Sequence, residues 1–171
     1  MRLILGFVAA CALTLLINGT PRPASAQPDK SADLRIDVPV VLKEAKVVFN
    51  MDHLAFAGTS PIGLVWMKVM VEGFTANRTE WQVIAVFHSA AGYMMLNDAA
   101  YNRVRKSAGG NPFKPMIEQL QKAGVRFEEC GQTARDNGWG NADLLPGVAV
   151  NSGANFRFVQ LVQAGFVQLQ P

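Results

Sequence analysis

The residue in this 171-residue chain whose type and setting invite chemistry is Cys130. It lies in Val125-Arg-Phe-Glu-Glu-Cys130-Gly-Gln-Thr-Ala-Arg-Asp-Asn-Gly138. Val125 and Phe127 alternate there with Arg126 and Glu128, as in a strand with one more buried face, and Gly131 to Asn137 reads as a short helix closed by Gly138. A thiol at such a strand-to-helix turn meets unpaired N–H groups and the positive end of the helix dipole. Both favour the thiolate, the nucleophilic form of cysteine. Glu128 and Glu129 pull the other way, because two carboxylates beside a thiol raise its pKa. The residues supply the competing influences without their sum, so a reactive thiol and a buried structural cysteine both stay open.

Other candidates follow from position. In an open parallel sheet, ligands sit at the carboxyl ends of the strands, where loops lead into helices. His88, Cys130 and the turn Asn151-Ser152-Gly153 fall at such ends, as does the loop after Asn50 with Asp52 and His53. On a shared rim, His88 serves as proton partner or hydrogen-bond donor to a sulfur anion, and the backbone turn at Gly131 supplies further N–H groups. The plainer reading makes His88 a helix-start residue, with Ser89 and Ser152 as N-caps. No Gly-x-Gly-x-x-Gly follows a strand, no glycine loop ends in Lys-Ser or Lys-Thr, and no Gly-x-Ser-x-Gly elbow is present. The two histidines, His53 and His88, have no second ligand at metal spacing. Neither a cofactor nor a metal is therefore expected, and hydrolase or oxidoreductase chemistry has no motif behind it.

The elements that must carry these residues begin with an export address. Arg2, the apolar run Leu3 to Ile17 and Ala24-Ser-Ala26 form the pattern of a secretory signal peptide over residues 1–26, too short for a comfortable membrane span. Cleavage after Ala26 would leave a mature periplasmic chain starting at Gln27, with no stable membrane insertion. Arg2 and Arg22 leave with that segment, so 16 basic residues against 13 acidic ones become 14 against 13. The near-neutral balance and the lack of a dense basic cluster argue against nucleic-acid binding. Cys11 leaves as well, so the mature chain cannot form an internal disulfide.

Residues 27–44 read as a loose polar leader and 45–171 as one domain. Ala45 to Asn50 is a strand. Ser60 caps and Pro61 opens a helix from Ile62 to Phe74, apolar nearly all round, which is either sandwiched within the chain or covered by a second subunit. Trp81 to Phe87 is a near-continuous apolar run of the kind buried on both faces of a parallel sheet. Ser89 starts a short helix, and Asp98 caps another ending near Lys106. Phe113, Met116, Ile117, Leu120 and Ala123 share one helical face. Gly147 to Val150 is a short strand, a helix opened by Asn151-Ser-Gly153 runs to Ala164, and Phe166 to Leu169 is the last strand. Strands alternating with helices predict an α/β fold with a parallel sheet covered on both faces.

These residues also carry a resemblance. Glu129-Cys-Gly-Gln-Thr-Ala-Arg-Asp-Asn-Gly138, Asp143-Leu-Leu-Pro-Gly-Val148, Asn151-Ser-Gly153 and Gln163-Ala-Gly-Phe-Val167 resemble the C-terminal half of the DsrE/DsrF-like family. Val86-Phe-His-Ser and Leu96-Asn-Asp-Ala-Ala-Tyr101 are similar to its exported single-domain branch. The likeness spans about residues 45 to 170. It implies a three-layer α/β/α fold with a mainly parallel five-stranded sheet, a homo-oligomer (trimer or hexamer), and a persulfide-forming cysteine at the position of Cys130. The expected function is then a periplasmic sulfur carrier with a donor or acceptor protein as partner. The alternative is a non-enzymatic oligomeric module that binds a small ligand or a protein and whose cysteine only packs.

Overall fold

The computed structural model describes residues 34–171; the signal peptide expected at 1–26 lies outside them. Leu34 to Lys43 has no helix or strand. Regular structure starts with β1 (Glu44–Met51), followed by the two-residue strands β2 (Phe56–Ala57) and β3 (Ser60–Pro61), which pair antiparallel. Ser60 and Pro61 were expected to start a helix, but Pro61 sits in a strand conformation just before α1 (Ile62–Ala76), and no side chain caps that helix. Next come β4 (Glu80–Phe87), a 3-10 segment (Ser89–Met95), α2 (Asp98–Arg105) and α3 (Lys114–Ala123). After them stand β5 (Arg126–Cys130), α4 (Gly131–Asp136), β6 (Ala149–Asn151), α5 (Ala154–Gln163) and β7 (Val167–Leu169).

Five strands form one parallel sheet in the order β6-β5-β4-β1-β7. The apolar run of β4 lies at its centre, as a strand buried on both faces must. Side chains alternate between the two faces, and the faces are covered unequally. Val47, Phe49, Phe87 and Phe127 pack with Leu64 and Met67 of α1, Ile117 and Leu120 of α3, and Met94 and Met95 of the 3-10 segment in a broad core. On the other face, Val48, Ile84, Val86 and Cys130 pack with Ala154, Phe158 and Leu161 of α5 in a smaller cluster. α1 buries Leu64, Met67 and Val71, while Trp66 and Val69 stay 47% and 63% exposed. Its nearly all-apolar surface is thus only half used within the chain.

Further cap assignments change. Asn97, and not Asp98, caps α2, accepting a hydrogen bond from the Ala100 N–H. Asp98 instead accepts from the Asn111 N–H and from Lys114, tying α2 to the loop before α3. Ser89 is not a cap either: it lies inside the 3-10 segment at φ +51°, and its N–H donates to Thr133 Oγ1 across 2.9 Å.

Candidate functional site

The strand register sets the site. Met51 stands beside Phe87, Phe87 beside Glu129 and Glu129 beside Val150. Four strands therefore end within one residue of one another, and Asp52 and His88, just past β1 and β4, share one rim with Cys130 and Asn151, the last residues of β5 and β6. Of these, His88 and Cys130 line a shared cleft of about 330 Å³ together with Ser89, Gln132, Thr133, Asp136, Ser152, Gly153, Ala154, Asn155 and Phe156. Of the residues expected from sequence, His88, Ser89, Cys130, Ser152 and Gly153 are brought together there. Asn151 lines an adjoining groove with Glu128 and Arg157. Asp52 and His53 pair with one another, and Asp52 also accepts from Gln170; they do not line the cleft.

Cys130 is the last residue of β5 and occupies the N-cap position of α4. It is 5% exposed, and its Sγ accepts a hydrogen bond from the Ala154 N–H at 3.3 Å. Burial pushes the thiol pKa up, but the Thr133 N–H, the Ala154 N–H, the Thr133 hydroxyl and the Gln132 N–H outweigh it and hold the thiol below its ordinary value. Thr133 serves two groups at once: its oxygen accepts from Ser89, which leaves its proton for the sulfur. Gly131 matters through close approach, since a Cβ there would stand 2.6 Å from the Asn151 carbonyl oxygen.

The two carboxylates expected to oppose thiolate formation are both disarmed. Glu128 was expected on an open polar face but is buried, on the same face of the sheet as Cys130. There Arg157 of α5 grips it, with Nε 2.9 Å from Oε2 and Nη2 2.7 Å from Oε1, and Asn151 Nδ2 donates to it at 3.1 Å. This two-pronged pairing cancels its charge locally. Glu129 points to the opposite face and is 0% exposed. Neither of its oxygens has a hydrogen-bond partner. Burial first, and the charge of Cys130 second, push its pKa up to about 9, so near neutral pH it carries a proton and no charge.

His88 is held by both ring nitrogens. Nε2 lies 2.8 Å from Asn50 Oδ1, an acceptor, and Nδ1 lies 3.0 Å from Ser89 Oγ. This assigns the neutral tautomer with the proton on Nε2 and the Ser89 hydroxyl donating to Nδ1. Burial pushes the His88 pKa down, against a smaller opposing pull from Asp52. Its ring also packs against Phe158, centroids 5.8 Å apart. The expected N-cap role of Ser152 is not seen, because Gly153 takes that position on α5 and no side chain caps it.

Sequence reasoning passed over Thr133, Gln132 and Ala154, which supply the sulfur's donors, and Phe156, 79% exposed at the cleft mouth. Thr133 had a readable signal: a hydroxyl three residues past a cysteine at an N-cap can reach back to it. Among the described residues, no group of three or more His, Cys, Asp or Glu side chains could hold a metal ion. No helix among them is long and apolar enough to cross a membrane.

No curated protein matches this chain. Among solved structures, it is similar to the protein of unknown function MTH1491 from Methanobacterium thermoautotrophicum, at 23% identity and a TM-score of 0.56, over 74% of this chain and 99% of that one. It is also similar to the ychN protein from E. coli, at 16% identity and a TM-score of 0.50, over the same shares of the two chains. Both likenesses concern the fold alone. The DsrE/DsrF-like family model matches residues 43–170, nearly all of the described chain, and with the five-stranded parallel sheet already in place the protein belongs to the DsrE/DsrF-like family.

Proposed function

We propose that the protein is an exported, homo-oligomeric sulfur carrier that uses Cys130 as a persulfide-forming thiol. The observation that carries this reading is the sulfur's setting: a thiol shielded from charge repulsion by the neutral Glu129 and the paired Glu128, held below its ordinary pKa by N–H and O–H donors, on the wall of a cleft. The Cys130 thiolate attacks the outer sulfur of a donor persulfide. The donor's S–S bond breaks, the donor leaves as a thiolate, and a new S–S bond joins the transferred sulfur to Cys130, so no external oxidant or reductant is consumed. Attack by an acceptor thiolate on that outer sulfur reverses the exchange and frees Cys130. The donors that stabilise the thiolate are placed to stabilise it again as leaving group. His88, neutral and fixed by Asn50 and Ser89, lines the path as a polar wall.

Incubating the mature protein with a persulfide donor and weighing it intact tests the reading. One added sulfur on the wild type and none on Cys130→Ala supports it; no gain on the wild type, or an equal gain on the variant, overturns it. The low exposure of Cys130 favours a second reading, a binding module whose cysteine only packs. That reading requires the thiol to resist alkylation until the protein unfolds. The oligomer rests on Trp66 and Val69 of α1, and a monomer by light scattering at micromolar concentration refutes it. Export is tested by fractionating cells and sequencing the mature N-terminus, expected at Gln27.

A further inference from the structure

Glu129 is a buried carboxyl that the exchange step does not use. Burying one without a partner is costly, and nothing in the broad core around it supplies a hydrogen bond. Its surroundings connect it to the sulfur all the same. A Cβ built on Gly92 of the 3-10 segment would lie 2.7 Å from Glu129 Oε1, 2.8 Å from Thr133 Cγ2 and 3.3 Å from Trp139 Cζ3. The carboxyl, the threonine methyl and the indole thus crowd the same small space beneath the one residue type that leaves room for them. The methyl and the hydroxyl of Thr133 share one rotor: the first lies in that space, and the second accepts from the Ser89 N–H at 2.9 Å and helps hold the thiol below its ordinary pKa. Fixing the methyl fixes the hydroxyl.

We propose that Glu129 is a positioning residue for Cys130: its side chain fills the space beneath Gly92 and locks Thr133 in the rotamer that presents its hydroxyl to the sulfur. The claim deepens the sulfur-carrier reading and rests on it for its purpose, but the positioning itself is measured on the thiol without any sulfur donor. The side chain acts by its shape. Replacing the neutral carboxyl by an amide of the same shape would not disturb it, whereas lost volume would free Thr133 to turn.

The test is the pH profile of Cys130 in the full mature protein, read as thiolate absorbance and as iodoacetamide alkylation rate, for the wild type, Glu129→Ala, Glu129→Gln and Thr133→Ser. In Glu129→Ala the thiol pKa is expected to rise by about half to one pH unit, slowing alkylation at pH 7 roughly three- to tenfold. Glu129→Gln, of the same shape, is expected to return to within about twofold of the wild type. Thr133→Ser keeps the hydroxyl but loses the methyl that Glu129 crowds, and is expected to follow Glu129→Ala. A wild-type profile in folded Glu129→Ala, or a glutamine variant as impaired as the alanine one, overturns the proposal. Should Glu129→Ala fail to fold, Thr133→Ser decides, and a wild-type profile there overturns it. Persulfide uptake by the wild type is scored separately by mass, so a failed carrier and a failed positioning residue give different patterns.

Discussion

The two faces of the sheet are built to different standards. The face under α1, α3 and the 3-10 segment holds the fully buried Phe49, Phe87, Phe127, Leu64, Met67 and Ile117. The face under α5 holds a smaller set, and the sulfur lies within it. Packing density is what a thick core offers. The thinner one has at its edge the cleft that reaches the sulfur. The molecule draws rigidity from one side and puts its candidate chemistry on the other, with β5 sending Glu129 to the first and Cys130 to the second.

The same truncation on each face tests this most strongly. Leu64→Ala on α1 is expected to cost about 4 kcal/mol and Leu161→Ala on α5 about 2.5 kcal/mol, read by urea unfolding; equal losses would mean the faces do not differ in packing. Arg157→Ala, which strands Glu128 in its buried setting, is expected to cost about 2 kcal/mol and to raise the Cys130 pKa. An unchanged alkylation profile would show that Glu128 does not reach the sulfur electrostatically.

Glu129 gives a pH-dependent comparison. The unfolded chain releases this proton near the ordinary carboxylate value, while the folded protein keeps it up to about 9. Its burial therefore costs nothing extra below the lower value, and wild-type stability falls progressively as the pH rises between the two. Glu129→Gln removes that dependence, so the variant should gain on the wild type by at most about 1.4 kcal/mol per pH unit across the window; parallel curves from pH 5 to 8 would place the proton elsewhere. Smallest in energy is Thr133→Val, which deletes a hydroxyl that accepts from Ser89 and serves the sulfur. Alkylation at pH 7 is expected to slow roughly three- to tenfold, as in Glu129→Ala, with the unfolding midpoint hardly moved.

Much of this was legible in the residues. The apolar run before His88 announced a central strand, the alternation up to Cys130 announced another, and the shared apolar face from Phe113 to Ala123 announced α3. The parallel sheet followed from the order of elements. What escaped depends on partners remote in the chain. Glu128 read as solvated because its neutralising Arg157 is 29 positions away, and Glu129 read as charged because burial is a property of the fold. Ser89 and Asp98 read as caps on local pattern, while Ser89 is bent toward Thr133 and Asp98 toward Lys114. Ser60 and Pro61 have the chemistry of a helix start, and pairing with β2 claims them first. Thr133 had a local signal toward the sulfur, but its ties to Ser89 and to the space beneath Gly92 appear only in the fold.

The near-level ending of four neighbouring strands has an evolutionary consequence. Since the walls around the sulfur come from separate loops, each can be lengthened, shortened or recoloured by mutation while the backbone ladder beneath stays as it was. A lineage built on this chassis can change which molecule it admits without renegotiating how it folds, and diversity within it should be sought in those loops.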